Sequence, residues 1–146
     1  MKPDLANPVH RKALGIALEQ NRVAGKEDVA MSEHAHAVAL MNWVHLYAVR
    51  QWPGIALMFH IPNEAKRSFV TAARLKAEGM KPGIPDYFLP VARDQFHGMF
   101  LELKKIGEKP TLEQAKALGE LQGMGYYSTC ERGWIAAAGA LVEYLS

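Results

Sequence analysis

Met99-Phe100-Leu101-Glu102-Leu103-Lys104 is the stretch on which the reading of the fold turns. Side chains of an extended strand alternate between its two faces, so Met99, Leu101 and Leu103 share one side and Glu102 and Lys104 the other. The apolar set is expected to be the buried face. A carboxylate and an ammonium one pleat apart then project together into whatever lies opposite. Upstream, the turn-rich Lys81-Pro82-Gly83-Ile84-Pro85 leads to Asp86 and a second apolar run, Tyr87 to Val91, and Phe96-His97-Gly98 offers a hairpin turn between the two runs. Antiparallel pairing around that turn brings Asp86 and Glu102 to the same edge of a sheet. Two carboxylates in one place repel unless something compensates. A hard divalent cation such as Mg²⁺ or Mn²⁺ does so, because it prefers oxygen ligands. A lysine beside it can orient a water or stabilise charge growing on a phosphate. An ordinary cross-strand salt bridge uses the same residues, and spacing alone leaves both readings open.

Around this centre the chain alternates helical and extended patterns. Ser32 is an expected N-cap for a helix to about Gln51, with Ala37, Leu40, Met41, Val44 and Ala48 on one stripe and Pro53-Gly54 as its end. Glu33 falls on that stripe, either as a first-turn acid favoured by the helix dipole or as a carboxylate with work to do. Ile55 to Ile61 is expected as a strand, and residues 67 to 78 as a basic amphipathic helix ended by Gly79. Thr111-Leu112-Glu113-Gln114 has capping-box spacing and opens a helix to about Gln122. Gly123-Met124-Gly125 turns into a short strand, Tyr126 to Cys130, and a last helix carries Trp134, Ala138, Leu141 and Leu145 on one face. The order α-β-α-β-β-α-β-α implies an α/β domain, a mixed β-sheet flanked by helices. Residues 1–30, where Pro8 precedes a possible helix from Arg11 to Arg22 and Gly25 to Asp28 reads as a break, are expected to be an extension before a domain at 31–146.

A chain of 146 residues fits one domain with a real core. A single cysteine, Cys130, excludes an internal disulfide and zinc-ligand spacings, and fits a reducing compartment. With neither a signal-peptide pattern nor an apolar run of membrane-spanning length, the expected location is the cytoplasm. The net charge of +2 is too small to argue for nucleic acid. Its distribution says more: residues 66 to 109 hold nine of the seventeen basic residues against five acids, a local balance of +4. That suits a phosphate backbone and equally suits a solvated face of mixed charge.

Pro85-Asp86 and Glu102-Leu103-Lys104 resemble the signature of the PD-(D/E)xK nucleases. Ile61-Pro62-Asn63, the segment from Arg67 to Gly79, Gly83-Ile84-Pro85-Asp86, His97 through Lys104, Thr111 through Gln114 and Gly125-Tyr126 occur in one order. That order resembles the virus-type replication–repair nuclease (VRR-NUC) domain, particularly its stand-alone bacteriophage form, over residues 31 to 146. The resemblance implies a restriction-endonuclease-like core. It makes Asp86, Glu102 and the main-chain carbonyl of Leu103 ligands of Mg²⁺ or Mn²⁺, with Glu33 near the metal and Lys104 as the catalytic lysine. Gln114 matches a glutamine after the signature, although its capping-box place also explains it. Asn63 matches a family asparagine, and Lys66, Arg67, Arg74 and Lys105 fall where cations would meet DNA phosphates. Glu64-Ala65 departs from the small, glycine-rich pair common after that asparagine.

The resemblance further implies a homodimer cutting branched DNA in the manner of a Holliday-junction resolvase, in the cytoplasm of a bacterial host if phage-encoded. A less selective or restriction-type nuclease, and a catalytically silent DNA-binding module, are the competing expectations. His34 and His36 are two apart and point to different sides of a helix, unlike a metal-binding i, i+4 pair. His97 is assigned to a turn, His10, His45 and His60 have no evident partners, and Trp43, Trp52 and Trp134 are assigned to the core or to turns. No glycine-rich phosphate loop ending in GK[ST] is present, so ATP use is not indicated.

Overall fold

The computed structural model describes residues 27–62 and 68–146. The expected helix at 11–22 lies outside those residues, and Glu27–Ala30, partly expected as a break, forms a short helix, α1. Ser32 caps α2 (Glu33–Trp43), its hydroxyl accepting from the Ala35 amide at 3.1 Å. The helix continues through a π-helical turn, Val44–Ala48, to Val49–Gln51. Its buried residues are His36, Leu40, Trp43, Val44 and Ala48. The stripe is therefore broader than the expected one and includes a histidine and a tryptophan.

The strand expected at Ile55 to Ile61 is instead mostly a 3₁₀ helix, Pro53–Leu57, followed by a two-residue strand β1, Phe59–His60. Pro53 presets φ for a first helical turn, and the amides of Ile55 and Met58 bond to the carbonyls of Trp52 and Ile55 at 3.0 Å each. That turn drives Ile55 into the core with no exposed surface. β-branched composition loses here to the proline's local geometry. Ser68 caps α3 (Phe69–Ala77), which buries no residue, so the basic segment is a solvated helix rather than a packed one.

β2 (Tyr87–Leu89) and β3 (Met99–Lys104) form the expected antiparallel hairpin, with Tyr87 opposite Leu101, Phe88 opposite Phe100 and Leu89 opposite Met99. The tight turn is three residues earlier than expected. Arg93 and Phe96 exchange two backbone hydrogen bonds, and Asp94 takes φ 50°, a conformation aspartate tolerates better than most residues. His97 instead donates its amide to the Gly125 carbonyl at 2.9 Å. The capping box opens α4 (Leu112–Gly123), which carries the chain over to β4 (Tyr127–Arg132), parallel to β3. Parallel pairing requires such a crossover. The sheet order is β1-β2-β3-β4.

The last helix, α5 (Trp134–Leu145), buries Trp134, Ala138, Leu141 and Leu145 as the sequence implies. Helices α2 and α5 pack on each other and on β3. α4 covers the other side, where Ser128 donates its hydroxyl to the Leu118 carbonyl at 2.6 Å. Both faces of β3 are consequently covered. The face that carries Glu102 and Lys104 is buried too, with Glu102 1% and Lys104 9% exposed. No helix among the described residues is long and apolar enough to cross a membrane.

Gly83 (φ +81°) seats the approach to β2 against α4: a Cβ there would lie 2.6 Å from the Glu113 carbonyl oxygen. Gly79 (φ +102°) has nothing within 4 Å of such a Cβ. G79A is expected to cost about 1 kcal/mol of backbone strain. G83A adds a collision with main chain and is expected to cost about 2–4 kcal/mol in all. Urea unfolding of the two variants checks this, and equal losses would contradict it.

Candidate active site

Continuing the β2–β3 register by one residue sets Asp86 opposite Glu102. Proline at 85 has no amide to offer the ladder, and Asp86, next in the chain, turns its side chain along the neighbouring strand. Its Oδ2 accepts the Leu103 amide at 2.9 Å. Glu102 and Lys104 follow by strand alternation, and the Lys104 Nζ lies 3.2 Å from Glu102 Oε1 and 3.8 Å from Glu33 Oε2. The salt bridge and the carboxylate cluster, open alternatives in the sequence, thus coexist. Glu33 reaches the cluster from the first turn of α2, while Leu40 and Val44 farther along that helix are fully buried.

Gln114 completes the capping box and also bonds to Glu102. Its Oε1 accepts the Thr111 amide at 2.8 Å, completing the capping box. That bond turns the amide so that Nε2 donates to Glu102 Oε1 at 2.6 Å. Helix start and site are one structure. Glu102 Oε1 is therefore engaged twice, whereas Oε2 is buried and has no hydrogen-bond partner among the described residues.

Electrostatics match this crowding. Burial, then the neighbouring Asp86, pushes the Glu102 carboxyl from the ordinary 4.5 up to about 7, against the pull of Lys104. Burial raises Asp86 as well, opposed by its bond from the Leu103 amide and by Lys104. Glu33 is raised by burial, with Lys104 opposing. Burial works against the charge of Lys104, yet Glu102, Glu33 and Asp86 together outweigh it and raise its pKa. Acids held above their usual range by burial, one with a buried oxygen that has no hydrogen-bond partner among the described residues, form a donor set that suits a hard cation.

Among the described residues no three His, Cys, Asp or Glu side chains are gathered into a ready cage. Asp86 and Glu102 adjoin, and Glu33 is linked to them through Lys104. Mg²⁺ is ordinarily held by one or two carboxylates and several waters rather than by an all-protein cage, so a carboxylate pair is a sufficient core for it.

Of the residues assigned to DNA, Arg74 and Lys105 are among those described. Asn63, Lys66 and Arg67 lie outside the described residues. Arg74 is bonded to Glu78 at 3.0 Å on α3, and Lys105, next to Lys104 but exposed, lies 3.2 Å from Glu108. Cys130, opposite Glu102 on β4, has its thiol pKa raised, chiefly by burial. His36, which its spacing from His34 sets apart from a metal-binding pair, has a structural partner instead. It is 1% exposed and accepts the Trp134 amide on Nδ1 at 3.2 Å. Its place on the buried stripe beside Leu40 was a signal available in the sequence.

No family model matches the chain, and no curated protein matches it. Among solved structures, one described as "VRR_NUC domain protein" is similar, with a TM-score of 0.67 and 26% identity over 79% of this chain and 88% of that one. A mixed four-stranded sheet with flanking helices, similar to that structure, defines the class: an α/β nuclease domain of the restriction-endonuclease-like type. Within that class, the chain carries a VRR-NUC domain.

The raised Glu102 pKa has a measurable consequence in metal-free protein. Between the ordinary 4.5 and about 7 the folded state keeps a proton that the unfolded chain releases, so this group's contribution to stability is lost as pH rises through about 7. E102Q mimics the protonated form at every pH. Wild type treated with EDTA is expected to lose more stability than E102Q between pH 5 and pH 8 in urea unfolding. Parallel losses would contradict the assignment.

Proposed function

We propose that this chain hydrolyses DNA phosphodiester bonds with a bound Mg²⁺ or Mn²⁺. The supporting observation is the buried, unpartnered Glu102 Oε2 beside Asp86, with Lys104 at hydrogen-bond distance from the other oxygen. Asp86, Glu102 Oε2 and the Leu103 carbonyl would hold the metal, with Glu33 as a further carboxylate that contacts Lys104. When bound, the ion supplies a lowered water pKa and neutralises charge on the phosphate.

The remaining work falls to the chain's own groups. Gln114 engages Glu102 Oε1 and leaves Oε2 for the ligand role. Lys104, kept protonated by three acids, donates to the water that attacks and to the phosphoryl oxygen that gains charge. Asp86, tied to the Leu103 amide, keeps its other oxygen for the cation. Asn63, Lys66, Arg67, Arg74 and Lys105 are assigned to the DNA backbone. Arg74 and Lys105 give up their exposed acid partners readily, because such pairs contribute little in water.

The further reading is a stand-alone, phage-type enzyme that works as a homodimer on branched DNA and resembles a Holliday-junction resolvase, in the host cytoplasm. Two sites related by a twofold axis would meet two strands symmetrically. A silent DNA-binding module is disfavoured, since Asp86, Glu102 and Lys104 are all present and brought together.

Labelled four-way junction and matched duplex, incubated with pure protein and Mg²⁺, Mn²⁺ or EDTA, test this. Cutting is expected with either metal and none with EDTA, with the junction preferred. No metal-dependent cutting of any DNA sinks the enzyme reading, and equal cutting of junction and duplex sinks the selectivity. K104A is expected to abolish cleavage and keep Mn²⁺ binding by calorimetry, whereas D86A weakens both. Equal Mn²⁺ affinity in the two variants contradicts the division of labour.

A further inference from the structure

We infer that His36 is a positioning residue, a remote cap on α5 that fixes α2 so that Glu33 meets Lys104. The inference rests on the nuclease reading only for what the Glu33–Lys104 contact is for. The geometry stands by itself. Helix α5 begins at Trp134 behind Gly133, which has no side chain with which to cap the helix's first amides. The acceptor comes from another element: His36 Nδ1 takes the Trp134 N–H at 3.2 Å in a site sealed from water. Accepting on Nδ1 places the proton of a neutral ring on Nε2.

The same junction holds Lys104 from behind. The Gly133 amide donates to the Lys104 carbonyl at 2.8 Å, so the residue that holds the lysine's main chain directly precedes the one whose amide His36 caps. At Gly133 (φ +84°) a Cβ would crowd Ile106 Cγ1 at 3.2 Å, whereas His36 Cε1, at 3.5 Å, would be in ordinary contact with it.

His36 lies three residues after Glu33 on α2, and residues so spaced share a helix face. A ring closes: Lys104 Nζ to Glu33 Oε2 at 3.8 Å, along one turn of α2 to His36, through Trp134 and Gly133 back to the Lys104 carbonyl. Within that ring the His36 bond sets the rotation and depth of α2 relative to the end of β3. Glu33 is the half-exposed member, reaching in from the helix's first turn, so it is the residue whose placement depends most on the anchor behind it. Leucine at 36 fills similar space without an acceptor. Asparagine places its Oδ1 where Nδ1 now sits.

The test uses metal-free full-length protein and NMR of the Glu33 carboxyl carbon in wild type, H36L and H36N, with K104M as the reference for a lost contact. In H36L the Glu33 signal is expected to move at least halfway to its K104M position, and in H36N to stay near wild type. If H36L does not fold, H36Q, whose acceptor sits one bond farther out, is expected to move the signal in the same direction by less. A Glu33 signal unchanged in H36L, or in H36Q where H36L is unfolded, overturns the proposal.

Cleavage of a four-way junction adds a second readout. H36L is expected to lower kcat at least tenfold with KM changed less than twofold, H36N to recover most of it, and H36L to cost less than twofold in an E33Q background. Equal costs of H36L in both backgrounds mean a general structural effect and overturn the positioning role. Wild type that cuts no DNA would end the nuclease reading while leaving the carboxyl signals to decide on His36.

Discussion

A slip of one residue between β2 and β3 would turn every side chain of one strand to the opposite face. In the observed register Tyr87 faces Leu101, and Asp86, one step beyond the paired residues, reaches the Leu103 amide. That single bond fixes the aspartate against the strand that carries Glu102 and Lys104. The rest of the molecule secures this pairing from both sides. Leu101 and Leu103 sink among α2 and α5, and α4 closes the polar face through Gln114.

Covering the polar face has an electrostatic price. Burying a carboxylate is costly even when it is paired, and Glu102 shares its surroundings with Asp86 while Lys104 offsets only part of that cost. The arrangement is therefore less favourable than an apolar strand of the same length would be. Such local frustration is expected where function opposes stability. A cation would resolve it, converting a repelling pair into a ligand pair, and the bare Glu102 Oε2 is the atom through which it would do so.

Much of this was legible in the sequence because strong local signals agreed with one another. Residues 99–104 alternate cleanly and form the strand with the expected bounds, and Thr111 through Gln114 form a capping box with both reciprocal bonds. Elsewhere one signal lost to another, near or distant in the chain. Ile55 to Leu57 has strand composition, but Pro53 starts a 3₁₀ turn there and the core accepts Ile55 from it. The hairpin turn was placed at Phe96-His97-Gly98 because glycine is the usual marker. Asp94 took the positive φ instead, and Gly98 was needed elsewhere, pressed against the Leu89 carbonyl and the Phe88 ring. The burial of Glu102 could not be read from alternation at all, since whether a polar face is covered depends on where α4 lands. The structural partner of His36 was not legible because it, the Trp134 amide, is 98 residues away.

The claim on which the account stands is that Asp86 and Glu102 hold a divalent ion. Crystals grown with Mn²⁺ and measured for anomalous scattering address it directly. The account predicts a peak about 2.1 Å from an Asp86 carboxylate oxygen, Glu102 Oε2 and the Leu103 carbonyl. An absence of any peak at saturating Mn²⁺, or one whose ligands exclude Glu102 Oε2, would contradict it.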